Sequence, residues 1–199
     1  MNITLINPLS IAHLAPVLGR CQTALLMGDG VTIREVRESD AAAIAAIYAH
    51  HVLNGTASYE VDPPSVEDAL AKIRRVLGAG WPFIVADQSG EVAGYAYATQ
   101  FRDRAAYRFT AENSIYVRAE QMGRGIGTAL LEALIERSRA RGFKTIVAVI
   151  GGAEPASITL HAKCGFREAG RLTRVGFKFG RWLDSVYMQR ELSEEHTSR

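Results

Sequence analysis

Hydrophobic and polar positions alternate along the chain with two periods, two residues in some segments and about 3.6 residues in others. The shorter period predicts β-strands and the longer one predicts helices, because these are the periods at which side chains return to the same face. Strands are predicted at residues 31–33, 83–86, 92–99, 114–117, 145–150, 166–172 and 182–192. Helices are predicted at residues 39–50, 65–78, 128–141 and 157–163. This order of elements predicts one domain that mixes strands and helices.

Residues that begin and end elements support these boundaries. The pair Ser39–Asp40 is typical of a helix N-terminus, and the segment Ser65–Asp68 approximates a capping box. The last two strands are expected to flank a turn that contains Gly176 and Gly180. The continuous apolar run at residues 145–150 is typical of a central parallel strand.

A glycine-rich run connects the strand predicted at residues 114–117 with the following helix. It contains Gly123, Gly125 and Gly127. Glycine allows a tight turn and lets the first free amides of a helix approach an anion closely. The run contains neither the dinucleotide fingerprint nor the Gly-Lys-Ser/Thr of a P-loop, so both of those sites are poor fits. It favours a different pyrophosphate-bearing cofactor, and an ordinary strand-to-helix turn stays open as the alternative.

Composition narrows the class of protein. The chain has 199 residues, of which 48% are hydrophobic, and this is enough for one buried core. A net charge of +2 gives no reason to expect a nucleic acid partner. Cys21 and Cys164 are far apart, which argues against a disulfide framework and favours a reducing, cytoplasmic location. No metal site is expected, because His50, His51 and His161 lack carboxylates or thiols at ligand spacing.

The first 30 residues differ from the rest of the chain, being apolar and nearly uncharged. They lack the basic start of a signal peptide, and their apolar stretches are too short to span a membrane. The sequence therefore predicts an extension of unknown role at residues 1–30, a domain at 31–192 and a tail at 193–199. Met27 is a possible alternative start.

Two segments give the chain a family resemblance. The run from Met122 to Gly127 resembles motif A of the GNAT superfamily of N-acyltransferases, Q/R-x-x-G-x-G/A, with Met122 at the Gln or Arg position. The segment Arg104–Val117 resembles phosphinothricin acetyltransferase and the related methionine sulfoximine acetyltransferases, and this likeness extends over residues 31–192. It implies a GNAT fold of α/β type: a central mixed, mostly antiparallel twisted sheet, helices on both faces and a V-shaped splay at the acetyl-CoA site.

The resemblance also implies acetyl-CoA as the cofactor, with backbone amides of the glycine-rich run on its phosphates. Glu154 departs from the family, which usually has Asn there; an ionised carboxylate only accepts hydrogen bonds and adds negative charge. The cofactor-binding residues that the resemblance implies are Ile115, Tyr116, Val117, Met122, Gly123, Arg124, Gly125, Ile126, Gly127, Thr128, Glu154, Ser157 and Lys163.

Acetylation of an amine requires a base, because an α-amino group with a pKa of about 8 is mostly protonated at neutral pH. By resemblance, Glu112 is the expected general base, just upstream of the strand at residues 114–117. His161 is the expected proton donor to the departing CoA thiolate, and the N–H of Val117 is expected to bind the oxyanion. A solvated carboxylate and a histidine bonded to backbone are the structural alternatives. Cys164 is a weaker candidate as a nucleophile.

Cationic side chains are expected around an acceptor that carries a carboxylate, phosphinate or sulfoximine group. By resemblance, Arg102 and Arg104 are the candidates, with the hydroxyl of Tyr107 beside them. Tyr59 is expected either to line the acceptor pocket or to belong to the core. A solvated loop is the alternative for the residues around Arg102.

Three functions stay open on the sequence alone. The leading one is an acetyl-CoA-dependent N-acetyltransferase that acts on a small amino acid or its toxic analogue. The second is a GNAT enzyme with another acceptor, such as a polyamine, an aminoglycoside or a protein N-terminus. The third is a non-catalytic CoA-binding sensor. The resemblance also implies a homodimer, and four aromatic residues are candidates for its surface or for the core: Phe177, Phe179, Trp182 and Tyr187.

Overall fold

A computed structural model describes residues 30–192 and shows a seven-stranded sheet with helices on both faces. The predictions about residues 1–29, which include Cys21 and Met27, and about residues 193–199 lie outside the described residues. The strands are β1 (Val31–Glu35), β2 (Phe83–Gln88), β3 (Glu91–Gln100), β4 (Thr110–Val117), β5 (Thr145–Gly151), β6 (Arg167–Lys178) and β7 (Arg181–Glu191). The helices are α1 (Ala41–Asn54), α2 (Val66–Gly78), α3 (Ile126–Ala140) and α4 (Pro155–Lys163).

The strand order within residues 30–192 is β1-β2-β3-β4-β5-β7-β6, and in this part of the chain only the β4–β5 pair is parallel. The sheet is therefore mixed and mostly antiparallel, as predicted, and β5 is a central strand that is parallel to β4 and antiparallel to β7. Pairing between β4 and β5 ends at Asn113 and Ala148. Beyond these residues β4 continues beside β3 and β5 continues beside β7, so a gap opens between β4 and β5. This gap confirms the predicted splay.

Two hydrophobic cores cover the two faces of the sheet. Side chains that alternate along β2 separate them: Phe83 and Val85 pack under α1 and α2, whereas Ile84 and Ala86 belong to the core beneath α3. Because both of its faces are covered, the central strand β5 carries apolar residues at nearly every position. The helices on either face hold the ends of β4 and β5 in place around the gap.

The two predicted helix starts differ in their chemistry. At α2 the capping box forms: Ser65 Oγ accepts the Asp68 N–H at 3.1 Å, and the Asp68 carboxylate accepts the Ser65 N–H at 2.9 Å. Asp40 also precedes its helix, but its side chain makes no capping bond to α1. It accepts the Arg37 N–H at 2.7 Å and binds the Arg34 guanidinium at 2.8 Å. The Asp40 carboxylate therefore accepts hydrogen bonds from the Arg34 guanidinium on β1 instead of from the free amides of α1.

The turn between β6 and β7 is shorter than predicted. Phe179 and Gly180 form it, with φ angles of 51° and 72°, and Gly176 lies inside β6. The prediction that Gly176 belongs to the turn is wrong, because this glycine serves a close contact. A Cβ atom at position 176 would lie 2.7 Å from the ring of Tyr59. The absence of a side chain there lets the loop after α1 pack directly on the sheet.

Candidate active site

Two cavities meet at the gap between β4 and β5. The first, of about 590 Å³, contains Glu60 and Glu112 and is called the carboxylate cavity. The second, of about 780 Å³, contains the glycine-rich run from Gly123 to Gly127 and is called the glycine cavity. Both are lined by Ala57, Ile115, Tyr116 and Ser157. Ligands in the two cavities therefore lie next to each other, with these four residues at the junction.

The glycine cavity has the features of an anion site. Helix α3 begins beside it, and Gly125 is its N-cap residue with φ of 84°. A helix start offers unpaired N–H groups and the positive end of the helix dipole. Lys163, at the end of α4, adds a cationic side chain to the lining. This combination favours a phosphate-bearing ligand.

Most of the predicted cofactor-binding residues line the glycine cavity. Two of them do not: Arg124 is exposed outside the lining, and the side chain of Ile126 is buried in the core beneath α3. The predicted residues in the lining are Ile115, Tyr116, Val117, Met122, Gly123, Gly125, Gly127, Thr128, Glu154, Ser157 and Lys163.

The end of α1 also lines the glycine cavity, which the sequence did not predict. His50 and His51, which the sequence analysis considered only as metal ligands, both line this cavity. The ring nitrogen Nε2 of His51 lies 2.8 Å from the carbonyl oxygen of Val117, and the carbonyl can only accept, so Nε2 donates. Burial lowers the pKa of His51, which favours the neutral ring. The helix thereby holds the end of β4.

The backbone N–H of Val117 points into the gap. The next residue, Arg118, donates its N–H to Ala93 O beside β3 at 2.9 Å. Because N–H groups of successive residues in a strand point in opposite directions, the Val117 N–H is directed away from β3. Its position at the open side of β4 suits the predicted role as an oxyanion donor, which stays a prediction.

Glu112 lies within β4 rather than upstream of the strand, because β4 begins at Thr110. Its carboxylate lines the carboxylate cavity, and Arg102 Nη1 is 3.3 Å from its Oε2 atom. Burial raises the pKa of Glu112, and the nearby guanidinium opposes this rise. A carboxylate with a raised pKa is a better proton acceptor at neutral pH, which suits a general base.

His161 is almost fully buried on α4, with 2% of its surface exposed, and it lines the carboxylate cavity. Its Nδ1 atom lies 2.8 Å from Ser157 O, and its Nε2 atom lies 3.0 Å from Asn113 Nδ2. Burial lowers its pKa, although the bond to Ser157 opposes this. The predicted role as an acid stays a prediction, and it requires that Nε2 be freed from Asn113 and protonated.

The predicted acceptor-binding residues are only partly brought together. Tyr59 lines the carboxylate cavity, and Arg102 reaches it through its contact with Glu112. Arg104 and Tyr107 lie in an exposed turn between β3 and β4 and line neither cavity. Their role in acceptor binding therefore stays a prediction.

Several other side chains line the carboxylate cavity without having been predicted as site residues. Side chains alternate along β4, so Asn113 and Ser114 lie on opposite faces of the strand where the gap opens. The sequence shows that these residues are polar, but only the pairing of β4 with β5 shows that they lie at the gap. Tyr187, which was a candidate for a dimer surface, also lines this cavity. The unpredicted lining residues are Ala57, Ser58, Glu60, Asn113, Ser114, Ala148, Val149, Ile150, Gly151, Leu172, Val175, Ser185 and Tyr187.

Cys164 lines neither cavity and is buried. Burial raises the pKa of its thiol, which is the opposite of what a nucleophile needs. Across residues 30–192 no three His, Cys, Asp or Glu residues are arranged to hold a metal ion. None of the helices in this part of the chain is long and apolar enough to cross a membrane.

The loop after α1 lies between the two cavities. Hydrogen bonds of Tyr59 and Lys178 attach this loop to the sheet. The Tyr59 hydroxyl donates to Asp184 O at 2.7 Å and accepts the Gly152 N–H at 3.2 Å. The Lys178 ammonium donates to Gly55 O at 3.0 Å and to Ser58 O at 2.7 Å, and only 4% of this lysine is exposed. Burial lowers the pKa of Lys178, and the charge of Glu60 opposes this.

Replacement of Lys178 by methionine is expected to lower the free energy of unfolding by about 1–3 kcal/mol, because two buried carbonyl groups lose their donor. Urea unfolding measures this loss. Lys144→Met, at an exposed lysine before β5, serves as the matched control and is expected to change stability little. Equal stabilities for the two variants would show that the loop does not depend on the buried ammonium.

Comparison with known proteins agrees with this arrangement. Residues 33–187 match the family described as Acetyltransferase (GNAT) domain. A phosphinothricin N-acetyltransferase of Alcaligenes faecalis is 49% identical over 168 residues, which cover 84% of this chain and 85% of the relative. An L-methionine sulfoximine/L-methionine sulfone acetyltransferase of Pseudomonas aeruginosa is 43% identical over 162 residues, which cover 81% of this chain and 94% of the relative.

A solved structure gives the same result. The crystal structure of a GNAT superfamily phosphinothricin acetyltransferase from Sinorhizobium meliloti, in complex with acetyl-CoA, matches with a TM-score of 0.81 and 47% identity. The match covers 85% of this chain and 92% of that one.

Proposed function

Because the chain belongs to the GNAT acetyltransferase family and is an acetyl-CoA-dependent N-acetyltransferase, we propose that it acetylates the α-amino group of a small amino acid or of a toxic analogue. Phosphinothricin, methionine sulfoximine and methionine sulfone are the proposed analogues, since similar proteins are named for them. The observation that carries the proposal is the meeting of two cavities at the gap, one with a helix N-terminus and one with the half-buried carboxylate of Glu112.

The residues of the glycine cavity fit acetyl-CoA. Gly125 and the first turn of α3 offer amides to phosphates, and Lys163 adds positive charge. Gln121 also lines this cavity, and its buried side-chain oxygen has no hydrogen-bond partner among residues 30–192, which leaves an acceptor for a ligand N–H or O–H group. When bound, acetyl-CoA supplies the thioester that an amine attacks.

The residues of the chain then have three tasks. Glu112 takes the proton that the amine loses, directly or through a water molecule. The Val117 N–H donates to the acetyl oxygen as negative charge develops on it. As the N–C bond forms and the C–S bond breaks, the thiolate receives a proton, for which His161 is the proposed donor once its Nε2 atom is released from Asn113 and protonated; in the neutral ring Nε2 only accepts the Asn113 N–H. No side chain of this set forms a covalent bond to the acetyl group.

A second acceptor class is favoured by one observation. Among residues 30–192, no lysine or arginine lines the carboxylate cavity, whereas Glu60 and Glu112 do. Such a lining attracts a cationic amine. A polyamine carries only positive charges, so it can bind there without a site for a carboxylate. Arg102, whose Nη1 atom is 3.3 Å from Glu112 Oε2, has the opposite preference, and it supports the amino acid.

We also propose a homodimer and a cytoplasmic location. Three aromatic side chains on the β6–β7 hairpin are more than half exposed, and β6 is an edge strand, so a second copy of the chain is the proposed cover. These residues are Phe177, Phe179 and Trp182. Sedimentation equilibrium measures the association. The cytoplasmic proposal is supported by the free, buried thiol of Cys164.

A thiol-release assay tests the proposed reaction. The panel contains phosphinothricin, methionine sulfoximine, methionine sulfone, common amino acids, spermidine and an aminoglycoside. Release with the first three compounds supports the amino acid analogue as acceptor. Release with spermidine alone supports the second class, and silence with every amine, despite measured binding of acetyl-CoA, contradicts both.

A further inference from the structure

We infer that the side-chain oxygen of Asn113 binds the amine of the acceptor, and that His161 acts as the positioning residue that fixes this oxygen. The inference rests on the proposed function and adds a substrate contact to it. It is carried by the hydrogen-bonding chain from Ser157 through His161 to Asn113, which leaves the buried oxygen Oδ1 of Asn113 without a partner among residues 30–192.

For a neutral His161 ring, only one assignment of donors and acceptors satisfies both of its hydrogen bonds. Ser157 O is a carbonyl and accepts, so the proton of His161 lies on Nδ1. The Nε2 atom then carries the lone pair and accepts the N–H of the Asn113 amide at 3.0 Å. Burial of the ring lowers its pKa and keeps it neutral. His161 therefore has no N–H directed at the carboxylate cavity in this state.

The same bond fixes the orientation of Asn113. With Nδ2 turned toward His161, the oxygen Oδ1 occupies the other end of the amide. Only 6% of Asn113 is exposed, and Oδ1 has no hydrogen-bond partner among residues 30–192. Asn113 lines the carboxylate cavity and not the glycine cavity. A buried carbonyl oxygen of this kind calls for an N–H or O–H donor from the ligand in that cavity.

Position along β4 identifies the amine as that donor. Asn113 is the last residue of β4 that pairs with β5, so it lies where the gap opens. Glu112 and Asn113 point to opposite faces of the strand, yet both line the cavity that passes through the gap. A neutral amine has two N–H groups and one lone pair. An amine that donates one N–H to Asn113 Oδ1 keeps its second N–H for a water molecule that leads to Glu112, and its lone pair stays free for attack.

The first test replaces Asn113 by alanine. We expect kcat/KM for the acceptor to fall about tenfold or more, because one hydrogen bond to a polar or charged group is lost. The dissociation constant of acetyl-CoA, measured by calorimetry, is expected to stay unchanged. Gln189→Ala, at an exposed amide on β7, is the matched control. An acceptor kcat/KM in Asn113→Ala that equals the wild-type value overturns the inference.

The second test separates positioning from acid catalysis at His161. Glutamine has a side-chain oxygen that can accept the Asn113 N–H, so His161→Gln is expected to keep more activity than His161→Leu. In the Asn113→Ala background, His161→Leu is expected to cause little further loss, since the two residues act through one oxygen. Equal losses in the glutamine and leucine variants, with full additivity to Asn113→Ala, overturn the positioning role and support the acid.

The wild-type protein is assayed first on the full amine panel. If the wild-type protein turns over no amine, the proposed function is contradicted. If the wild-type protein is active and Asn113→Ala has the same kcat/KM for the acceptor, only the inference is contradicted. Thermal unfolding of each variant reports whether it folds. The His161→Gln and His161→Leu variants both keep Asn113. Their relative activities therefore test the inference even if Asn113→Ala does not fold.

Discussion

Replacement of Glu112 by glutamine is expected to lower kcat about 10²- to 10⁴-fold, which is the range over which a general base contributes. Glutamine keeps the size of the side chain but cannot take a proton from the amine. Glu112 does not line the glycine cavity, so the affinity for acetyl-CoA is expected to stay the same. A thiol-release assay measures kcat, and calorimetry measures the affinity.

Glu60→Gln is the matched control, because Glu60 is the other carboxylate of the same cavity. It is expected to change the KM of a cationic acceptor while leaving kcat near the wild-type value. Comparable losses of kcat in both variants would mean that the cavity acts through its total negative charge. In that case Glu112 would not be the base.

The pH profile of the wild-type enzyme tests the same assignment. A base works when deprotonated, so activity is present above the pKa of Glu112 and is lost as the pH falls through it. Burial raises this pKa, so the loss is expected to begin above the value of about 4.3 that is typical of an exposed glutamate. Arg102→Gln removes the opposing positive charge and is expected to move the acid limb to still higher pH.

Replacement of Gly125 by alanine is expected to weaken acetyl-CoA binding about tenfold. Gly125 has φ of 84° at the N-cap of α3, and a left-handed conformation costs a residue with a Cβ atom roughly 1–2 kcal/mol. The loop relieves this strain by turning its backbone, which moves the first amides of α3 away from the phosphates. Isothermal titration calorimetry with acetyl-CoA measures the change.

Gly90→Ala provides the matched control for backbone strain. Gly90 has φ of 90° in the hairpin between β2 and β3, and nothing lies within 4 Å of an added Cβ atom. It is expected to lower stability without changing acetyl-CoA affinity. If Gly125→Ala binds acetyl-CoA as tightly as Gly90→Ala does, the glycine-rich run does not hold the cofactor.

The sequence alone determined the features that depend on neighbouring residues. The Ser65–Asp68 capping box forms as predicted, because both hydrogen bonds join residues three positions apart. The glycine-rich run opens α3 as predicted, since an unobstructed backbone before a helix is a local property. The motifs around Gly125 and Glu112 also predicted the acetyltransferase fold from the sequence alone, because each motif is a short continuous segment that resembles the family.

Only the tertiary structure decided which distant residues share a cavity. Gly176 looks like a turn residue in the sequence, but its contact is with Tyr59, more than a hundred positions earlier in the chain. The fold places His51 against Val117 and separates Arg104 from the carboxylate cavity, and no local pattern encodes either result. The protonated nitrogen of His161 and the unpaired end of the buried Asn113 amide follow from a hydrogen bond between α4 and β4, which joins residues 48 positions apart in the chain.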